Sequence, residues 1–204
     1  MTTLTSDEQL LQLMLSGDAK AFEALYDRRQ GEIYRYALRM TGSPAIAEDV
    51  TQEVFLSLMR DRTYYQEGRG SVKSYLYGMA RHRLLRRLER ERTLVSLNTD
   101  DGLTDETSDE LLQSTHDPFL ELARDELIGL VRQAVLSLPA HFREVIVLCD
   151  LHEMNYADAA LVIECPIGTV RSRLARARGL LAVKLRMLKG TEYSPAKVRA
   201  EKAI

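Results

Sequence analysis

Thr169, Arg171, Ser172, Arg173 and Arg176 lie close together near the C-terminal end of this chain. On a helix, Thr169, Ser172, Arg173 and Arg176 share one face, with Arg171 and Arg178 on its flank. The opposite face carries Ile167, Val170, Leu174, Ala177 and Leu181 at three- and four-residue spacing. One side of such a helix packs. The other offers cations for phosphates and forked guanidiniums and hydroxyls for base edges, a donor set suited to a DNA major groove. The plain alternative is an amphipathic hairpin whose arginines only solvate an exposed face.

A second basic run, Lys73 to Arg92, sets Lys73, Arg81, Arg83, Arg86, Arg87, Arg90 and Arg92 against Glu89 and Glu91, with Tyr75 and Tyr77 near its start. Arginines grip phosphates and tyrosines can support unstacked bases, so the run could hold one strand of an opening duplex. Tyr75 also falls on the apolar stripe, where it would be core, and His82 faces the arginine side. Further upstream, Asp49, Gln52 and Glu53 form a polar face beside an apolar one. It could pair with a partner's basic helix, or simply be solvated.

Nothing in the chain is arranged for catalysis. It has no phosphate-cradling glycine loop, nucleophile elbow or paired-carboxylate pattern. His116, His141 and His152 make no metal-ligand spacing with Cys149 and Cys165, so neither metal nor cofactor is expected. The two cysteines sit in apolar-periodic positions, read as buried core in a reducing compartment.

The elements that must position these groups follow from periodicity. Tyr156, Ala159, Ala160 and Ile163 mark a short helix, and Pro166 opens the next one, a helix-turn-helix pattern. Glu164 stands at the turn, where a left-handed backbone would strain it. A helix from about His141 to Leu151 and one from Phe119 to about Ser137 precede it, separated at Leu138-Pro139. In the N-terminal half, Ser6 with Gln9 suggests a capping box for a helix ending near Gly17, and Asp18 caps a second running to about Gly42. Ser43-Pro44 opens a third, with Ile46, Val50, Val54, Phe55, Leu58 and Met59 inward. Ser71 starts a fourth, with Tyr75, Leu76, Met79, Leu84, Leu85 and Leu88 inward. No strand signal has weight, so the fold class is all-α.

With 204 residues, 45% hydrophobic, the chain can form one large or two small cores. Its net charge of −2 hides a division. Residues 1–92 carry 15 basic and 13 acidic groups, 93–125 carry 1 and 9, 126–189 carry 9 and 6, and the tail carries 3 and 2. Two helical domains, 1–92 and 118–189, are therefore expected on either side of an acidic flexible linker, 93–117, with a tail at 190–204. No run is apolar enough to span a bilayer and no signal peptide is evident. A cytoplasmic protein without membrane insertion is expected.

LPAHFREVIVLCDLHEMNYADAALVIECPIGTVRSRLARAR closely resembles the promoter-binding domain that ends bacterial sigma factors of the extracytoplasmic-function group. GDAKAFEALYDRRQGEIYRYALRM, AEDVTQEVFLSLMR and GSVKSYLYGMARHRLLRRL resemble successive parts of that group's N-terminal domain. The resemblance covers residues 8–92 and 118–187. It implies that Asp49, Gln52 and Glu53 dock on core RNA polymerase. It implies that Tyr65, Lys73, Tyr75, Arg81, His82 and Arg86 open and read the minus-ten promoter element. Tyr65 would do so in an aromatic-then-glycine loop that takes up a flipped base, and His82 at a position where the family often has Asn. Thr169, Arg171, Ser172, Arg173 and Arg176 would read the minus-thirty-five element. Tyr75 departs from the family, which usually has Trp there.

The function so implied is that of an alternative-type sigma factor with no enzymatic activity. Its partners would be core RNA polymerase, promoter DNA and, as a candidate, an anti-sigma protein. A monomer is expected when free. The rival readings are a self-sufficient helix-turn-helix regulator with an N-terminal dimerisation or sensing bundle, and an antagonist that grips polymerase but no promoter.

Overall fold

The computed structural model describes residues 5–60, 70–95 and 118–192, and the side chains of all of these but 90–95, 118–123 and 189–192. Among them every regular element is helical. In order these are α1 (Asp7–Leu15), α2 (Ala19–Thr41), α3 (Pro44–Arg60), α4 (Val72–Val95), α5 (Pro118–Leu136), α6 (Ala140–Val145), α7 (Tyr156–Ile163) and α8 (Ile167–Glu192). A π-helical turn, Ile146–Leu151, continues α6.

The helix starts follow from the caps. Ser6 and Gln9 form the reciprocal capping box of α1, and the Asp18 carboxylate accepts from the Lys20 and Ala21 amides at the start of α2. Asp7, only 7% exposed, ties the two helices together by pairing with Arg28 at 2.8 Å and with Arg29 Nε at 2.6 Å. Gly42 ends α2 in the left-handed region, φ 77°, which glycine enters without steric cost. A Cβ there would also meet Leu136 Cδ1 of α5 at 3.0 Å.

Leu25, Ile33, Tyr36 and Ala37 of α2, Val50, Val54 and Phe55 of α3, and Leu76, Tyr77 and Ala80 of α4 are buried together. The apolar cluster continues into the C-terminal half through Val135, Leu138, Val145 to Leu148, Ala159, Val162, Val170 and Leu174. The two helical domains thus pack against one another.

Several positions differ from the periodic reading. Met59 and Leu85, expected inward, are 51% and 38% exposed, because each sits at the margin of its stripe where no neighbour covers it. Ile167 and Tyr156, placed on apolar stripes, are also exposed. Tyr77, expected among the nucleic-acid-facing groups, is fully buried. Cys149 and Cys165 are half-buried rather than buried, and burial beside Asp150 pushes the Cys149 thiol up to about 11. The single helix expected over 141–151 divides into α6 and the π turn. The fourth helix continues to Val95, three residues beyond the expected domain end at 92. The rest of the expected linker, 96–117, and the tail beyond 192 lie outside the described residues.

Candidate nucleic-acid interface

The C-terminal helix pair is organised at its turn. The Asn155 side chain caps α7 by accepting from the Asp158 amide at 2.8 Å. Glu164 closes it in the left-handed region, φ 59° and ψ 47°, and its amide and that of Cys165 both donate to Ala160 O. The strained conformation is therefore adopted and held by backbone bonds. The Pro166 carbonyl accepts from Thr169 and Val170, at 2.8 and 3.2 Å, and launches α8. Buried Ala159 and Ala160 let the helices cross closely, and Val170, Leu174 and Ala177 of α8 are buried beneath.

That packing leaves Arg171, Ser172 and Arg176 exposed and Thr169 and Arg173 half-buried. All five sit on one helix, in its first three turns. Ser172 Oγ donates to Thr169 O at 3.1 Å. Arg171 lies 5.8 Å from the Tyr156 ring centroid, a cation–π contact that holds the guanidinium at the surface. Arg178 makes a two-pronged bond to Asp150, at 3.0 and 2.6 Å, which occupies it as a clamp on the π turn.

In the N-terminal half, Asp49, Gln52 and Glu53 are exposed together on α3. Asp49 pairs with Arg87 at 2.8 Å and Glu53 with Arg83 at 3.5 Å, so the acidic face of α3 is already laced to α4. Leu56 and Met59, about half exposed, extend this face with an apolar surface that periodicity alone had assigned elsewhere or not at all.

The residues expected at the minus-ten element are not all brought together. His82 and Arg86 are exposed on α4, and Tyr75 is half-buried against the core. Lys73 and Arg81 turn toward the C-terminal half. Lys73 Nζ reaches His152 O and Glu32, both at 3.5 Å, and Arg81 Nε donates to Glu144 Oε1 at 2.7 Å. Tyr65 lies outside the described residues.

Two residues with perturbed chemistry escaped the sequence reading. Burial raises the Glu144 carboxyl, and Arg81, Arg173 and His141 oppose that by favouring its ionised form. Burial, then the charges of Arg39, Lys73 and Arg35, lower His152 to about 3. Nothing local in the sequence marks either, since their partners come from distant segments.

No group of His, Cys, Asp and Glu among the described residues could hold a metal, and no described helix is long and apolar enough to cross a membrane.

A family profile described as Sigma-70 region 2 matches residues 25–93, and one described as Sigma-70, region 4, matches 128–181. A probable RNA polymerase sigma-C factor of Mycobacterium bovis is 30% identical over 182 residues, covering 88% of this chain and 92% of its own length. The ECF RNA polymerase sigma factor SigW of Bacillus subtilis is 29% identical over 176 residues, covering 84% and 92%. Among solved structures, the sigma factor RpoE of Bartonella quintana, in complex with the anti-sigma factor NepR, has a similar fold. Its TM-score is 0.68 at 21% identity, over 82% of this chain and 98% of that one. CnrH, in complex with the cytosolic domain of CnrY, superposes with a TM-score of 0.64 at 23% identity, over 89% and 97%.

Proposed function

Since the chain belongs to the sigma-70 family, in its extracytoplasmic-function group, we propose that it docks on core RNA polymerase through α3 and reads promoter DNA with α4 and α8. It is an alternative sigma factor directing transcription initiation. The observation that carries this reading is the occurrence, in order, of region 2 over 25–93 and region 4 over 128–181. A lone helix-turn-helix would suit many regulators. A region 2 module ahead of it suits a factor that works only as part of polymerase.

On α3, Asp49, Gln52 and Glu53 beside exposed Leu56 and Met59 support docking, because an apolar centre supplies affinity while a charged rim steers and orients. On α8, Arg171, Arg173 and Arg176 with Thr169 and Ser172 supply phosphate and base-edge donors on the face away from the core. On α4, Lys73, Tyr75, Arg81, His82 and Arg86 are the candidates for the minus-ten element, with Tyr65 just upstream. The protein catalyses no reaction of its own and acts in the cytoplasm, and an anti-sigma protein is a candidate partner. The proposed domains are 1–92 and 118–189, the second opening with α5 at Pro118, while α4 itself runs on to Val95.

Purified protein added to sigma-free core polymerase is expected to yield promoter-specific transcripts. Specific duplex binding as a stable dimer, with no transcripts from the reconstituted polymerase, would instead support the self-sufficient regulator.

A further inference from the structure

A cavity of about 290 Å³ lies between α5, α2 and the end of the π turn. Its apolar wall is set by helical spacing. Leu127, Ile128, Val131 and Val135 recur at three and four residues along α5 and share one face, and Leu151 of the π turn stands across from them. Val135 is 3% exposed, whereas Leu127 and Ile128 are 48% and 37% exposed, so the wall runs from the core out to an open mouth.

The charged residues lining the cavity are both arginines, Arg39 of α2 and Arg132 of α5. Arg39 is half-buried. Its side-chain hydrogen bonds among the described residues both leave from Nη1, to Leu151 O at 3.0 Å and to His152 Nε2 at 3.1 Å. They end on a carbonyl and an imidazole, not on a carboxylate. Burial, then the like charges of Arg35 and Arg132, pull the Arg39 guanidinium below its ordinary value, while Tyr77 acts the other way. Asp150, next to Leu151 in the chain, is engaged by Arg178. A half-buried cation set among cations is costly, and an anion held beside it would offset that cost.

We propose that this cavity is a binding site for a small apolar carboxylate, whose hydrocarbon part lies along Leu127, Ile128, Val131 and Val135 while its charged end faces Arg39 and Arg132. The volume limits the ligand. It is roughly twice the cavity of about 150 Å³ that takes a benzene ring, and it stands at the lower end, about 300 Å³, of ordinary ligand pockets. A medium-length chain or a single ring bearing a carboxylate fits that size, and a membrane lipid does not. The charge sets the chemistry, because a guanidinium matches a carboxylate with paired donors. A neutral molecule of the same shape would leave Arg39 uncompensated, and a cation would add to the repulsion. None of the residues proposed to contact polymerase or DNA lines the cavity. A ligand there would reach the chain without occupying either surface.

The test titrates octanoate into the full chain, methyl-labelled at Ile, Leu and Val, with octan-1-ol and octylammonium as its neutral and cationic counterparts. All three are kept below the concentrations at which they aggregate. Octanoate is expected to bind saturably, one molecule per chain, by calorimetry, and to shift the methyl signals of Leu127, Ile128, Val131, Val135 and Leu151 in NMR spectra. Octan-1-ol should bind about tenfold more weakly, the fold-change expected for the loss of one hydrogen bond to a charged group. Octylammonium should show no saturable binding.

Two variants place the site. Val131→Trp fills the cavity and should abolish octanoate binding with helical content unchanged; Ile128→Trp, at the exposed mouth, serves should the first fail to fold. Arg39→Gln should bring octanoate down to the affinity of octan-1-ol, and Arg132→Gln reads the same preference from the facing helix. Shifts that never saturate or that scatter over the chain would overturn the site. So would equal binding of octanoate and octan-1-ol by the wild type, or octanoate binding unmoved by the tryptophan that fills the cavity.

Discussion

Acidification should act on the domain seam through His152, and its size can be worked from the structure. The imidazole is faced by Arg35, Arg39, Tyr36 and Glu32 of α2 and by Lys73 and Tyr77 of α4, with Asp150 and Glu153 nearest along its own segment. Its Nε2 accepts from Arg39, so protonation there would set an N–H against a guanidinium N–H. Docking of the two halves therefore excludes a proton. With about 3 when the halves are docked against an ordinary value of about 6.5, the contribution is fully present above 6.5 and is lost as pH falls toward 3. At pH 5 the loss is about 2 kcal/mol, roughly thirtyfold in the docking equilibrium of the two halves. Glu144 works in the opposite sense, because burial raises its carboxyl, which takes up a proton more readily when the halves are docked than when they are apart. The decisive comparison is thus between wild type and His152→Gln, whose amide can accept from Arg39 and donate to Tyr77 at every pH. Energy transfer between dyes at the exposed positions Glu23 and Ala182, recorded from pH 7.5 to 5, should show the two proteins diverging, with the halves of wild type the further apart in acid. Parallel curves would refute the argument.

Arg173→Ala or Arg176→Ala should weaken binding of the polymerase holoenzyme to its minus-thirty-five element. The loss should be about 1 to 3 kcal/mol, with relaxed preference at one position, if the side chain reads a base, or a salt slope reduced by about one if it contacts phosphate. Titrations on matched and mismatched duplexes at two salt concentrations distinguish these, and no change in either would take the residue out of the interface. Asp49→Lys and Glu53→Lys should reduce affinity for core polymerase while shifting the melting temperature little, since their pairs with Arg87 and Arg83 are exposed on the carboxylate side; loss of fold would make them structural. Glu164→Gly should stabilise the chain by up to about 1 kcal/mol in denaturant melts, the relief of a left-handed side chain less the added freedom of the unfolded glycine. Destabilisation there would mean that the Glu164 side chain contributes contacts outweighing its backbone strain.

Much of this architecture was legible because it is local. The Ser6–Gln9 box, the Asp18 cap, the glycine stop at Gly42 and the proline-opened start of α3 are all determined within a turn of their own residues, and each occurs where the sequence places it. Periodicity also identified which face of α8 packs, since Val170, Leu174 and Ala177 recur at helical spacing and are buried. It does not tell where a buried stripe ends, so Met59 and Leu85 read as inward on spacing although both are exposed. Nor could it foresee that Tyr77 is covered by His152, or that Arg81 meets a carboxylate 63 residues away. Those contacts depend on how one half docks on the other, and no spacing rule within a helix encodes that.

The π turn at Ile146–Leu151 bears on how this protein could change by insertion and deletion. Its wider hydrogen-bonded loops, such as His152 N to Val147 O at 3.0 Å, accommodate one residue more than an α-helical loop spans. That surplus residue sets the angular phase at which His152 leaves the helix and meets Tyr77 and Arg39. Removing one residue here would let the segment relax into a regular helix and keep its apolar packing. Because the wide loops absorb the extra residue, its removal would leave the downstream helices nearly in phase with α6 and change mainly where His152 sits. Lineages that lose this residue should therefore retain a folded helix-turn-helix yet lose the contacts of His152 with Tyr77 and Arg39. Domain exchanges between related factors would succeed or fail according to whether that single residue is matched.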